Sequence, residues 1–103
     1  MFTVIRKYKV QRGAGPGLAE RVREGFLPLL SQLPGLKGYQ LLDGGPDILI
    51  SITMFENADQ ALASSETAAE WVRNNVLEFT RGMPEVVAGN ALISAIDGQT
   101  SDP

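Results

Sequence analysis

Residues 2–10 (Phe-Thr-Val-Ile-Arg-Lys-Tyr-Lys-Val) concentrate β-branched and aromatic types in one short run, which predicts a first strand. Alternation puts Val4, Arg6, Tyr8 and Val10 on one face and Thr3, Ile5, Lys7 and Lys9 on the other. Gly13-Ala14-Gly15-Pro16-Gly17 breaks the strand, and Pro16 suits the first position of a helix. From there to Leu33 the spacing turns helical: Leu18, Val22, Phe26, Leu29, Leu30 and Leu33 form one stripe, with Glu20, Arg21, Arg23 and Glu24 mostly off it. Pro28 sits inside this helix, removes a backbone donor and crowds the carbonyl of Glu24, so a kink is predicted there.

Pro34-Gly35 ends the helix, and two further strands, Leu36–Asp43 and Asp47–Phe55, read as an antiparallel hairpin about Gly44-Gly45-Pro46. Capping patterns at Asn57-Ala58-Asp59-Gln60 and Thr67-Ala68-Ala69-Glu70 predict a short helix near 58–63 and a longer one over about 66–81. Ala68, Ala69, Val72, Val76 and Phe79 form the buried stripe of the longer helix, and Gly82 stops it. Residues 85–96 read as a last long strand. The order β-α-β-β-α-β predicts an α+β, ferredoxin-like split βαβ domain over residues 1–96, with an antiparallel four-stranded sheet and helices on one face. Asp97 to Pro103 reads as a flexible tail.

The hairpin's second strand carries a wholly aliphatic face (Ile48, Ile50, Ile52, Met54) and a mixed one (Leu49, Ser51, Thr53, Phe55). Such a strand is covered on both sides. Two helices can cover only one side of the sheet, so the other face predicts a second copy of the chain, a homodimer or an oligomer of dimers.

Composition narrows the chemistry. At 103 residues, with 44% apolar and 20% charged side chains, the chain makes one globular domain. A net charge of -3 and a pI near 4.8 argue against nucleic acid as a partner. No apolar run is long enough to span a bilayer, and the opening residues lack the order of a signal peptide. With no Cys there is no disulfide framework, and a cytoplasmic location is the simpler expectation. With neither His nor Cys, a metal site of the usual nitrogen or sulfur kind is excluded, and acid–base work falls to carboxylates, Tyr or Lys.

The glycine-rich segment 13–17 follows a strand and precedes a helix, but it lacks the Gly-x-Gly-x-x-Gly spacing, and the hairpin downstream excludes a parallel crossover; it reads as a turn. Asp43 and Asp47 flank the hairpin and read as turn formers. The remaining candidates are polar groups able to orient a ligand: Arg6 and Tyr8 from one face of the first strand, and Trp71 with Asn75 one turn later beside the helix stripe. Asn90 and Ser94 share a face if the last strand is unbroken. Each has a plainer role available: Trp71 covering the core edge, Tyr8 packing, Arg6 pairing with a carboxylate of a second subunit.

The opening Met-Phe-Thr-Val-Ile-Arg-Lys-Tyr-Lys-Val-Gln-Arg-Gly resembles that of the antibiotic biosynthesis monooxygenase-like family of dimeric α+β barrel proteins. So do Gly25-Phe26-Leu27-Pro28-Leu29-Leu30, Pro34-Gly35-Leu36-Lys37-Gly38-Tyr39 and Ala68-Ala69-Glu70-Trp71-Val72. The resemblance implies two ferredoxin-like sheets facing each other across a two-fold axis, and a cofactor-independent monooxygenase-like protein oxidising or binding a small aromatic or phenolic compound. The alternative is a non-catalytic small-molecule-binding or structural homodimer. The haem-degrading branch carries Asn, Trp and His where Arg6, Ser64 and Asn74 stand here, so that activity is not expected and no cofactor is called for. For the cofactor-free branch, Trp71, Asn75, Tyr8 and Arg6 are the candidate catalytic residues.

Overall fold

The computed structural model describes residues 1–96 and 98–101. Four strands, β1 (Phe2–Lys9), β2 (Leu36–Asp43), β3 (Ile48–Phe55) and β4 (Glu85–Asn90), form one antiparallel sheet in the order β2-β3-β1-β4. β1 therefore lies between β3 and β4, with Arg6 opposite Ser51 on one side and Val86 on the other. Helix α1 (residues 15–30) and helix α2 (Ala58–Asn75) pack on one face. That is the ferredoxin-like arrangement the element order predicts.

Helix α1 answers the Pro28 problem by widening rather than simply bending. Gly15–Arg21 is α-helical, Val22–Phe26 is a π-helical turn, and α-geometry resumes over Leu27–Leu30. Pro28 has no N–H for the Glu24 carbonyl, so the chain shifts its pairing just upstream, where the N–H of Leu27 donates to Val22 five residues back. Beyond Leu30 only tight turns continue to Leu33, by bonds of 3.2 and 2.9 Å. Leu18, Phe26 and Leu30 of the predicted stripe are buried, each contributing about 1.5–3 kcal/mol of transfer free energy.

Two expected boundaries differ. The segment 58–75 is one unbroken helix, capped by Asn57, whose Oδ1 accepts from the Gln60 amide at 2.9 Å. Thr67 starts no second helix, because the chain upstream of it already supplies the carbonyls that a cap would replace. After α2 a 3₁₀ turn, Leu77–Phe79, is tied to the end of β1: Gln11 N–H donates to Phe79 at 2.8 Å and Arg81 N–H to Lys9 at 2.7 Å. The expected last strand is also divided. β4 stops at Asn90, and β5 (Ser94–Ile96) pairs instead with β6 (Gln99–Ser101). Of the expected tail, Asp97, Asp102 and Pro103 lie outside the described residues.

Asp47 does more than form a turn. At φ 57° its backbone carbonyl accepts from Val10 N–H at 2.9 Å and its Oδ1 accepts from Gly13 N–H at 2.9 Å, so it pins the hairpin to the end of β1. The helix-covered sheet face holds Val4, Tyr8, Ser51, Thr53 and Phe55, all buried. The opposite face carries Ile48, Ile50, Ile52 and Met54, half-buried, beside Ile5 and Leu42. Among the described residues no helix is long and apolar enough to cross a membrane.

Candidate functional site

A cavity of about 290 Å³ lies between the covered sheet face and the helices. Its floor follows from strand alternation and register. Leu41, Ser51 and Arg6 form one cross-strand row, Tyr39, Thr53 and Val4 the next, and all six line the cavity. Ser51 and Thr53 are only 6% and 5% exposed. Where an aliphatic side chain would fill the space under a helix, these short polar residues of β3 leave it open.

The roof is aromatic. Phe26, placed by the π-turn of α1, meets the Tyr39 ring edge-on at 5.8 Å between centroids and the Trp71 indole at 5.0 Å. Trp71 thus belongs to the inward side of α2 rather than beside its stripe, and it packs against the cluster of Tyr8, Val10, Leu18 and Val76. Ala68 and Ala69 keep the neighbouring turn of α2 thin, and Met83 and Pro84, ahead of β4, also line the cavity.

Three of the four candidates, Arg6, Tyr8 and Trp71, line this one cavity. Asn75 does not line it: its Nδ2 donates to the Trp71 carbonyl at 2.9 Å, an i to i−4 bond along the helix. Its own carbonyl accepts from Arg21 Nη1 at 3.4 Å. Asn90 and Ser94 fall on different strands in different sheets and lie apart from the cavity. Ser64 is buried in α2 and Asn74 exposed, and neither lines the cavity.

Tyr39, Ser51 and Thr53 were not singled out from the sequence. The available signal was the pair of short polar residues on the inward face of a central strand, with Tyr39 opposite Thr53 once the hairpin register is drawn. Both phenols are held in their neutral form. Burial pushes Tyr39 up to about 12, helped by Tyr8 and opposed by Arg6; burial likewise raises Tyr8, against the nearby Arg6 charge. At neutral pH they can donate hydrogen bonds into the cavity.

The charges are one-sided. Among the described residues the cavity is lined by two arginines, Arg6 and Arg73, and by no carboxylate. Among the described residues the salt bridge present joins Arg23 to Glu20 at 3.4 Å, on the exposed side of α1. Arg21 lies over the Phe79 ring at 4.9 Å. Arg6, half-buried in the middle of β1, lines the cavity, and its charge is close enough to oppose the upward shifts of Tyr8 and Tyr39.

A ferredoxin-like sheet, covered on one face and hollow under its cover, defines a small α+β protein with a partly open cavity between sheet and helices. The family model for antibiotic biosynthesis monooxygenases matches residues 1–84, and the chain belongs to that family. Its structure is similar to that of a Nitrosomonas europaea protein of unknown function (TM-score 0.80, 17% identity, covering 92% of each chain). It is also similar to the haem degrader MhuD of Mycobacterium tuberculosis with two haems bound in its active site (TM-score 0.73, 20% identity, covering 92% of this chain and 99% of that one). An antibiotic biosynthesis monooxygenase matches at TM-score 0.70 and 20% identity, covering 88% of this chain and 98% of that one. At these identities the likenesses establish the fold. No curated protein matches the chain.

Proposed function

We propose that the chain is a homodimeric, cofactor-independent monooxygenase-like protein that binds a small aromatic or phenolic compound in the cavity beneath α2 and lets it react with dioxygen. The observation that carries this reading is a space of about 290 Å³ lined by the aromatic rings of Phe26, Tyr39 and Trp71, by Arg6, which has no ion-pair partner among the described residues, and by the neutral phenols of Tyr8 and Tyr39. Ligand cavities run from about 300 to 1,000 Å³, so this one suits one or two fused rings.

Phe26, Tyr39 and Trp71 hold the ring system by its faces and edges. Arg6 lowers the energy of the ligand's phenolate, and Tyr8 or Tyr39 donates to the same oxygen. The chain has no imidazole or thiol, and among the described residues no carboxylate lines the cavity to take the phenolic proton, so that proton passes to water at the rim. The phenolate is the electron-rich form that dioxygen attacks. For oxidation of a ring methylene to a carbonyl, one oxygen atom becomes the carbonyl oxygen. The other leaves as water with the two hydrogens of the oxidised carbon, and dioxygen is the sole oxidant.

Haem fits this cavity poorly. The chain has neither His nor Cys to hold the iron, and the raised affinity of Tyr8 and Tyr39 for their protons disfavours a tyrosinate ligand. A non-catalytic binding protein is the second reading, favoured by the lack of a carboxylate or imidazole base among the described lining residues.

Oxygen uptake with a panel of hydroquinones and of one- and two-ring phenols that carry a ring methylene decides between them. Consumption that falls at least about tenfold in Trp71→Phe and Tyr8→Phe supports the oxygenase. Saturable binding without uptake supports the second reading, and neither binding nor uptake overturns both.

A further inference from the structure

The chain as a whole is acidic, with 12 Asp and Glu against 9 Lys and Arg, yet among the described residues the cavity is lined by two arginines and by no acid. This inversion of sign is local. Lys7 and Lys9 belong to the opposite face of β1, Arg21 is spent on the Phe79 ring and the Asn75 carbonyl, and Arg23 is paired with Glu20.

We infer that the ligand of this cavity is a small aromatic carboxylate, held by Arg6 with its ring system against Phe26, Tyr39 and Trp71. The inference rests on the reading of the cavity as a small-molecule site and narrows its ligand class. A planar guanidinium presents parallel N–H groups that match the two oxygens of a carboxylate. A phenol must first give up a proton at neutral pH, whereas a carboxylate arrives already charged. The low-dielectric aromatic walls strengthen the attraction, and among the described residues no carboxylate lines the cavity to compete for Arg6. With room for one or two fused rings, a phenolic carboxylate that carries a ring methylene would serve the oxidation proposed above as well.

Trp71 is the sole tryptophan and lines the cavity, so its fluorescence reports occupancy. The test titrates the full chain with 2-naphthoate and with the neutral 2-naphthylmethanol, by calorimetry and by Trp71 quenching. The wild type is expected to prefer the carboxylate by about ten- to a hundredfold, the range for a charge-assisted hydrogen-bonded pair. Arg6→Gln is expected to bring the ratio of the two affinities close to one, and Arg6→Lys to leave an intermediate preference.

A wild-type ratio near one overturns the inference whether or not the variants fold, and it is the result expected if Arg6 is satisfied instead by a carboxylate of a second subunit. A ratio that survives Arg6→Gln overturns it too. Failure of the oxidation reading is separable: strong, Arg6-dependent naphthoate binding without oxygen uptake from any phenol leaves this inference standing alone.

Discussion

The Trp71 indole lies directly against the backbone of Gly25: a Cβ at residue 25 would stand 3.0 Å from both Cζ2 and Nε1 of the indole. Gly25 sits within the π-turn, next to Phe26, whose ring also packs on the indole, at 5.0 Å between centroids. Adding one methyl group must therefore move Trp71. Gly25→Ala gains about 1 kcal/mol of helix propensity but incurs about 1–3 kcal/mol of overpacking. The expected outcome is a net loss of up to about 2 kcal/mol in urea unfolding, with shifted Trp71 emission. A variant as stable as the wild type with unchanged emission would show that the indole is not wedged there.

Ser51 keeps the cavity floor low. Ser51→Leu, filling the space between Arg6 and Leu41, is expected to leave a folded chain within about 1–3 kcal/mol of the wild type. Ligand affinity should fall by about tenfold or more, because the ring system and the new isobutyl group need the same volume. Calorimetry with an aromatic ligand checks this, and undiminished affinity in the folded variant would place the ligand elsewhere.

Tyr39 makes stability sensitive to alkali. Its phenol has an ordinary value of 10.0 and is pushed up to about 12 in the fold, first by burial. Below pH 10 both states hold the proton and the contribution is fully present. Between pH 10 and about 12 the unfolded chain loses its proton first, so the folded state loses stability as pH rises. Two units correspond to about 2.7 kcal/mol at most, and less for a half-buried ring. Urea midpoints from about pH 9 to about pH 12 should fall more steeply for the wild type than for Tyr39→Phe. Equal slopes would show that Tyr39 is not shifted. Tyr8 moves in the same direction, so some decline is expected to remain in the variant.

The fold was legible because its signals are local. Alternation in residues 2–10, the Gly-Gly-Pro turn and the Asn57 cap each specify an element without reference to the rest of the chain. Tertiary ties decided the boundaries. The capping pattern at Thr67 is overridden by a helix already running through it. The last strand breaks after Asn90, where pairing with β1 ends at Phe2. Pro28 announced a disturbance, but not that the helix would widen upstream of it, nor that Trp71, more than forty positions along the chain, would pack against Gly25 and Phe26 of that turn. Arg6 and Tyr8 could be placed together from alternation alone. Tyr39, Ser51 and Thr53 needed the hairpin register, and Asn75 was misleading because spacing cannot tell a side chain bonded to its own helix from one aimed at a ligand.

The uncovered sheet face sets the last expectation. Ile48, Ile50, Ile52 and Met54 project away from the helices, with Ile5 beside Ile52 and Leu42 beside Ile50. Completing the burial of an aliphatic side chain is worth up to about 1.5–3 kcal/mol, and a stable interface takes about 800 Å² from each partner. A second copy placing its own sheet against this one would supply both. Ile52→Lys puts a charge at the centre of that contact while leaving the cavity side of β3 untouched. Sedimentation at micromolar concentration should give a dimer for the wild type and a folded monomer for Ile52→Lys. In the monomer the lysine can reach water, so its unfolding should be little changed apart from the stability lost with the partner. A wild type that sediments as a stable monomer would mean that this aliphatic face tolerates water, and the dimer would have to be abandoned.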